Sequence, residues 1–422
     1  MNENKLPKKK LSGIFITIGI IFFPVLSCLY IVSLNSAELI SNTLAVPILI
    51  LAIFSLVLFI TGIIFKKTGT DIVRRKLKTV PKVALSILAL LYVVGAYSVV
   101  GMLYLPNTGF KDWLITTAMT TMNHQYLATW FYDSYDVNSV LANNVVIESG
   151  EDTNPNLITF NEPDFNQVTY KNEFEKEILT KDKGNDLYKI IDIERDGFKG
   201  KMAVIYDPSK VKLGISKGTG NALDNSYGQF ITEIASRYNA AIAINAGGFY
   251  DPDWNSSGGV PHGVVISDGK LIANNSKATG TGGIIGFNQE NKLILGRMSA
   301  NEALRRGIRD AVDFGPFLIV NGKPSFVSGN GGWGDAPRTA IGQRADGIVL
   351  LLVIDGRQVG SIGADMGDLT QVMLDYGAIN AANLDGGTST AMSLNGQIIS
   401  NPRNGNFQAK TRPVPNAWIV VE

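Results

Sequence analysis

The sequence predicts an α+β protein: a mixed β-sheet domain with flanking helices, preceded by three transmembrane α-helices. Three observations lead there. Leu11 to Leu34, Leu44 to Phe65 and Val83 to Leu105 are apolar and carry no charged residue. Each is about 20 residues or longer, enough for a helix to cross a bilayer. Beyond them, short apolar runs alternate with clusters of Gly, Asn and Asp, the pattern of strands joined by turns. Cys28 is the one cysteine, so this outer part folds without a disulfide or a thiolate metal site.

Basic residues set the expected orientation. Lys5, Lys8, Lys9 and Lys10 precede the first stretch, and Lys66, Lys67, Arg74, Arg75, Lys76, Lys78 and Lys82 fill the second loop. The first loop carries Glu38 and no Lys or Arg. By the positive-inside rule the N-terminus and second loop are cytoplasmic, which leaves everything after Leu105 outside. A multi-pass anchor with a sizeable cysteine-free outer domain points to the surface of a single-membrane bacterial cell, with the lipid bilayer as one partner.

The two halves differ in charge. Residues 1–105 hold 11 basic and 3 acidic residues, and the remainder holds 27 and 34. A mildly acidic outer part argues against nucleic acid as a partner. An anionic ligand there has to be met locally, by a few arginines.

The organisation expected is a membrane anchor over 1–105, a juxtamembrane helical segment and linker over 106–187, and a compact domain over 188–422. The first part of the middle segment, to about Asn144, reads as helical, and a short helix is expected near Glu173 to Thr180. In the compact domain Lys201 to Tyr206 and Val211 to Ile215 read as strands. Gly228 to Tyr238 has helical spacing, and Ala240 to Ile244 is a buried strand. Val264 to Ile272 and Ile284 to Leu295 read as hairpins. Asn301 is the expected cap of a short helix running to Ile308. Phe317 to Val320, Ile348 to Ile354 and Ala381 to Leu384 are apolar strands, Gly367 to Tyr376 a helix stopped by Gly377, and Trp418 to Val421 a closing strand.

Polar and glycine-rich motifs recur where strands end, a common position for sites. The densest is Asn383-Leu-Asp-Gly-Gly-Thr-Ser-Thr-Ala-Met392, in which Gly386 and Gly387 permit a sharp turn. That turn would gather the Asp385 carboxylate, backbone N–H groups and the hydroxyls of Thr388, Ser389 and Thr390. Asn245-Ala-Gly-Gly-Phe249, Pro337-Arg-Thr-Ala-Ile-Gly342, Val353-Ile-Asp-Gly-Arg357 and Arg412-Pro-Val-Pro-Asn416 accompany it. Arg338, Arg357 and Arg412 offer planar donor forks suited to phosphate oxygens. Asp385 and Asp355 could share acid, base or nucleophile duties in glycoside-type chemistry. Asn245, Asn383 and Asn416 could bind sugar hydroxyls. Each piece also has a plain reading, since Asp-Gly is turn chemistry and an arginine is often a surface ion pair.

Other chemistries fare worse. His124 and His262 are the two histidines, too few for a multi-histidine metal centre. A serine triad lacks a nucleophile elbow. Asp251 and Asp253 would suit a divalent cation such as calcium, although Asp-Pro-Asp is also a turn sequence. The metal ligands are otherwise unassigned.

In this order, these motifs resemble those of the phosphodiester glycosidase family, together with Gly315-Pro-Phe317. The resemblance runs from about Lys201 to Val421. It implies cleavage of a sugar-1-phosphodiester in a cell-surface glycopolymer or exopolysaccharide, with Asp385 and Asp355 as catalytic carboxylates. The sugar and phosphate would be held by Asn245, Gly247, Arg338, Arg357, Asn383, Gly386, Gly387, Thr388, Ser389, Arg412 and Asn416. The family usually has a third glycine where this chain has Thr388, and a side chain there narrows the pocket. A binding module that keeps the pocket without catalysis, and a sugar transferase in exopolysaccharide assembly, are the alternative readings.

Overall fold

The computed structural model describes residues 8–35, 45–68, 79–105, 109–121, 124–160, 169–219, 226–251, 256–275 and 283–422. Most of the basic second loop, Asp253, Trp254, Asn255 and Gly280 lie outside the described residues. Two compact units divide the chain, one formed by residues 1–119 and 124–141, the other by residues 120–123 and 142–422.

The first unit is helical. Its long helices are Lys8–Asn35, Ala45–Thr68 and Thr79–Tyr104, followed by shorter ones that include Phe110–Met119 and Tyr126–Thr129. The first two long helices pack closely at Gly19, where a Cβ would stand 2.3 Å from the Phe59 Cβ. Among the described residues one stretch, Ser12–Leu34, is long and apolar enough to cross a membrane, with mean hydropathy 2.5. Ile48–Thr61 and Leu91–Tyr104 are shorter apolar stretches. The expectation of three spanning helices is thus carried by length and composition for the first, because the ends of the other two runs lie outside the described side chains. Ile115, Ala118, Ala128 and Tyr132 form a small core in this unit.

The second unit is α+β. A seven-stranded sheet has the order Lys323–Pro324, Phe317–Val320, Ala378–Leu384, Arg338–Arg344, Val349–Ile354, Phe198–Ile205 and Tyr188–Arg195. A five-stranded sheet has the order Gln397–Ile398, Met392–Leu394, Ala240–Asn245, Asn416–Val421 and Val211–Ile215. A second five-stranded sheet is built from Lys270–Asn275, Gly263–Ser267, Ile308–Asp313, Ile284–Asn288 and Leu293–Gly296. The sequence predicts a mixed sheet, but the pairings among described residues are antiparallel throughout. Helical crossovers join two strands of one sheet that have an antiparallel strand between them. Ile231–Arg237 passes over Asn416–Val421, Ala300–Arg305 over Ile284–Asn288 and Met366–Asp375 over Arg338–Arg344, so the strands each joins are not direct neighbours.

Period-two alternation explains how the layers stack. In Val349–Ile354, Val349, Leu351 and Val353 enter the core shared by the three sheets. Leu350, Leu352 and Ile354 face the opposite way, toward helix Met366–Asp375. This strand is buried on both faces, hence its unbroken apolar sequence. Ile242, Ile244, Trp418 and Val420 face the central core, while Ala243, Ala417 and Ile419 pack on helix Ile231–Arg237.

Several boundaries differ from the sequence expectation. Residues 142–187, read as the end of a helical segment and a linker, lie in the sheet unit, where Thr153 N donates to Leu295 O and Ile178 is fully buried. A few apolar anchors inside a polar stretch suffice to dock it. The cap of helix Ala300–Arg305 is Ser299, whose side chain accepts from Glu302 N, rather than Asn301. Arg338–Arg344 is a central strand despite its two arginines and glutamine, because Gln343 and Arg344 find buried partners.

Candidate active site

Two strands end side by side at the centre of the site. Asp385 N donates to Ala246 O at 3.0 Å. Asn245, fully buried at the end of its strand, donates from Nδ2 to Asp385 O at 2.5 Å. Its Oδ1 accepts from Thr339 Oγ1 at 2.8 Å and from Ala391 N at 3.2 Å. One amide thus ties together two strands and the far side of the turn. Asn245 is a brace, with three of its four side-chain hydrogen-bonding sites spent on protein.

The turn needs both glycines. A Cβ on Gly386 would stand 2.9 Å from Pro337 O, and Gly387 has φ of +61° while its N–H donates to Pro337 O at 2.8 Å. The chain then runs through a short 3-10 turn, Gly387–Ser389. Asp385 is left half-buried, its Oδ1 accepting from Gly386 N at 3.1 Å. Burial pushes its carboxyl up to about 6, against the opposing effects of the Ser389 hydrogen bond, the Arg412 charge and the Gly386 N–H. Nearby Asp251 adds a smaller upward push. A carboxylate poised this way is a common mark of a functional site.

The three arginines have different surroundings. Arg338 is buried and donates to Ala364 O at 2.9 Å and to Trp333 O and Gly334 O at 2.6 Å. Burial lowers its pKa to about 10, opposed by Asp365 and Asp335. Arg412 pairs with Asp251 and lies over the Phe249 ring at 4.4 Å. Arg357 sits at φ of +59°, donates to Thr388 Oγ1 at 3.1 Å, and among the described residues forms no ion pair with a carboxylate. Its pKa is lowered by burial. A Cβ on Gly387 would stand 3.2 Å from Arg357 Nη2, so the guanidinium lies against the glycine turn.

Asp355 departs from its expected role. It is buried, and its two oxygens accept from Asn401 N at 2.8 Å and Asn401 Nδ2 at 2.9 Å. Its carboxylate is occupied in fastening the 401 loop. Asn383 and Asn416 are likewise buried within strands. Asn383 Nδ2 donates to Gly315 O at 2.9 Å, and Asn416 Oδ1 accepts from Gly247 N at 2.8 Å. Asn383 Oδ1 and Asn416 Nδ2 have no partner among the described residues. Of the residues singled out by sequence, the structure therefore gathers Asp385, Gly386, Gly387, Thr388, Ser389 and Arg357 around one turn. The three asparagines and Asp355 are built into the frame behind it.

Two groups escaped the sequence reading. His262 and Asp313 flank the 245–249 loop: His262 N donates to Gly248 O at 2.9 Å, and a Cβ on Gly248 would stand 3.5 Å from His262 Nδ1. Burial lowers the histidine and raises the aspartate, each partly offset by the other. Pro261-His-Gly263 gave no signal beyond a lone histidine. The second group is Asp335, Asp365 and Asp368, whose ligand oxygens lie within 4.8 Å of one another. Asp365 and Asp368 form a reciprocal cap at the start of helix Met366–Asp375, and burial with its like-charged neighbours pushes Asp368 up to about 6. These oxygens have the hardness a divalent cation prefers, and Asp365 and Asp335 also balance the buried Arg338. Asp251, expected beside a calcium, is instead engaged by Arg412 and by Ser256 N.

Residues 238–421 match the family model described as phosphodiester glycosidase. SPbeta prophage-derived protein YomE of Bacillus subtilis strain 168 is 33% identical over 183 residues, 42% of this chain and 27% of that protein. Mouse N-acetylglucosamine-1-phosphodiester alpha-N-acetylglucosaminidase is 25% identical over 231 residues, 48% of this chain and 41% of that protein. The matches thus span less than half the length of these curated relatives. The zebrafish catalytic domain of the latter enzyme, solved in a form auto-inhibited by its pro-peptide, superposes with TM-score 0.47 at 21% identity, covering 58% of this chain and 86% of that one.

Proposed function

Since residues 238–421 belong to the phosphodiester glycosidase family, we propose that this chain cleaves the C1–O–P linkage of a sugar-1-phosphodiester in a cell-envelope or exopolysaccharide glycoconjugate. The observation that carries this reading is the single glycine turn with Asp385 at its start and the carboxylate-free Arg357 against Gly387 and Thr388. A half-buried cation with no acid partner among the described residues suits an anion, and a planar guanidinium suits phosphate.

In this mechanism Arg357 holds the phosphate, while the N–H groups of Gly386, Gly387 and Ser389 are spent on Asp385 Oδ1, Pro337 O and Gly386 O and fix the turn. The C1–O bond breaks, and its electron pair leaves on the phosphate oxygen. A phosphate is weakly basic, so its departure needs little protonation. Ionised Asp385 stabilises the positive charge that develops at the anomeric carbon. Water supplies the hydroxyl to C1 and releases its proton to solvent. Asp355 acts at a distance, by fixing the 401 loop. The apolar stretches at the N-terminus anchor the protein, with the basic loops on the cytoplasmic side and the sheet domain outside.

The test is sugar release from a sugar-1-phosphodiester by purified full-length protein and by Asp385→Asn. The substitution is expected to cost at least about a hundredfold in kcat with the fold retained. Undiminished turnover removes Asp385 from the mechanism. Sugar moved to an acceptor alcohol instead of water identifies a transferase, and polymer retained without release identifies a binding module.

A further inference from the structure

Two loops beside Arg357 expose apolar side chains at their tips. Gln358 and Ser361 exchange backbone hydrogen bonds at 3.1 Å, so Val359 and Gly360 form a two-residue tip, with Gly360 at φ of +79°. Val359 is fully exposed, and Ile362 on the same loop is 52% exposed. The neighbouring loop closes through a bridge between Arg403 and Ala409 and carries Phe407, 61% exposed at φ of +62°. The two loops are joined. Arg403 Nε donates to Gln358 Oε1 at 3.4 Å, and Arg357 Nη1 donates to Arg403 O at 3.4 Å.

Charge gives this lip a direction. From Gly386 to Val421 the chain carries Arg403, Lys410 and Arg412 and no Asp or Glu, in an outer part that is acidic as a whole; Arg412 is paired with Asp251, so Arg403 and the exposed Lys410 are the cations this stretch offers the lip. The 356–364 loop carries Arg357 and no acid. Bare valine, isoleucine and phenylalanine tips beside basic residues are the chemistry of an anionic bilayer surface. Apolar groups enter the acyl boundary while cations meet the headgroups.

We propose that the Arg357–Gly363 and Arg403–Ala409 loops form a lipid-contacting lip, through which the site takes a sugar phosphodiester whose other substituent is a membrane lipid. The substrate class rests on the phosphodiester-cleavage reading; the lipid contact does not. In this arrangement the tips sit in the interface, and the phosphate, at headgroup depth, lies beside Arg357.

The experiment uses the full chain in vesicles containing phosphatidylglycerol, with Cys28→Ser and one introduced cysteine at a time. Val359→Cys, Phe407→Cys and, on the far hairpin, Lys270→Cys are labelled with an environment-sensitive dye. Lipids bearing a nitroxide on the acyl chain should quench the labels at 359 and 407 at least twice as strongly as the label at 270. Equal quenching at the three positions overturns the proposal. In the second arm Val359→Ser with Phe407→Ser should raise KM for a lipid-linked sugar phosphodiester about tenfold, leaving KM for a short-chain soluble analogue within twofold. Equal changes on both substrates overturn the substrate class. Turnover of neither substrate by the unaltered protein refutes phosphodiester cleavage, while the quenching still decides the lip.

Discussion

Asp355 and Asp385 begin from nearly the same sequence. Each follows a buried strand, each precedes glycine, and each has an arginine close by. Their surroundings are opposite. Asp355 is clamped by both donors of Asn401 and shut inside the fold. Asp385 keeps Gly386 N and Ser389 as its hydrogen-bond partners, remains half-buried, and is pushed up to about 6. What separates them is the loop that arrives from elsewhere in the chain. The 401 loop brings a side-chain amide to Asp355, whereas Asp385 meets the glycine-rich 245–249 loop, which offers its backbone N–H the carbonyl of Ala246. An Asp-Gly at a strand end is a site or a strut according to what the facing loop supplies.

The sharpest way to break this contrast is to neutralise each carboxylate in turn. Asp385→Asn should lose at least about a hundredfold in kcat and keep its fold. Asp355→Asn should instead cost stability, about 1–3 kcal/mol, because an amide cannot accept from both Asn401 donors. Its kcat/KM, measured below the melting transition, should stay within about threefold on the same estimate. A stable Asp355→Asn protein as inactive as Asp385→Asn would end the distinction.

Arg357 offers the next largest effect. Arg357→Lys keeps the charge and loses the fork, so kcat/KM for a phosphodiester should fall about ten- to a hundredfold. The loss should fall mainly on KM. An unchanged KM would place the phosphate elsewhere.

Protons sharpen the contrast further. A carboxyl whose folded-state pKa lies above its unfolded value holds its proton more tightly when folded. Its contribution therefore favours the fold below about pH 4 and is lost as pH rises to about 6. Asn imitates the protonated form. Asp385→Asn should accordingly leave stability nearly unchanged at pH 4 and raise it by about 1–3 kcal/mol at pH 7, read by denaturant titration. If the ionised form is the working one, activity falls as pH drops through about 6. The opposite slope would make Asp385 a proton donor.

The smallest effect concerns Thr388, which accepts from Arg357 at 3.1 Å. Thr388→Gly, which places glycine at the position where the family usually has one, should change kcat/KM less than about tenfold, within the net worth of one ordinary hydrogen bond. A larger change would mark Thr388 as a substrate contact.

Much of the frame was legible in advance. The apolar runs around Ile348 and Ala240 and the closing strand at Trp418 are strands, and the Gly386-Gly387 turn occurs where glycine was needed. Arg338–Arg344 was hidden because its polar residues are satisfied by partners far along the chain. His262 and Asp313 stayed hidden because their pairing spans 51 residues and has no local pattern.

The sequence by itself determined the apolar N-terminal stretches, the strand and turn periods, and the motif order of the phosphodiester glycosidase family. These depend on neighbours in the chain, on side-chain polarity at periods of 2 and 3.6 and on the backbone freedom of glycine. Only the tertiary structure decided which strand-end groups are free. It placed Asn401 on Asp355, three backbone carbonyls around Arg338 and Asp251 on Arg412, and it left Asp385 and Arg357 at one turn. Hydrogen bonds act over about 3 Å in space, and sequence separation says nothing of which polar groups will meet at that distance.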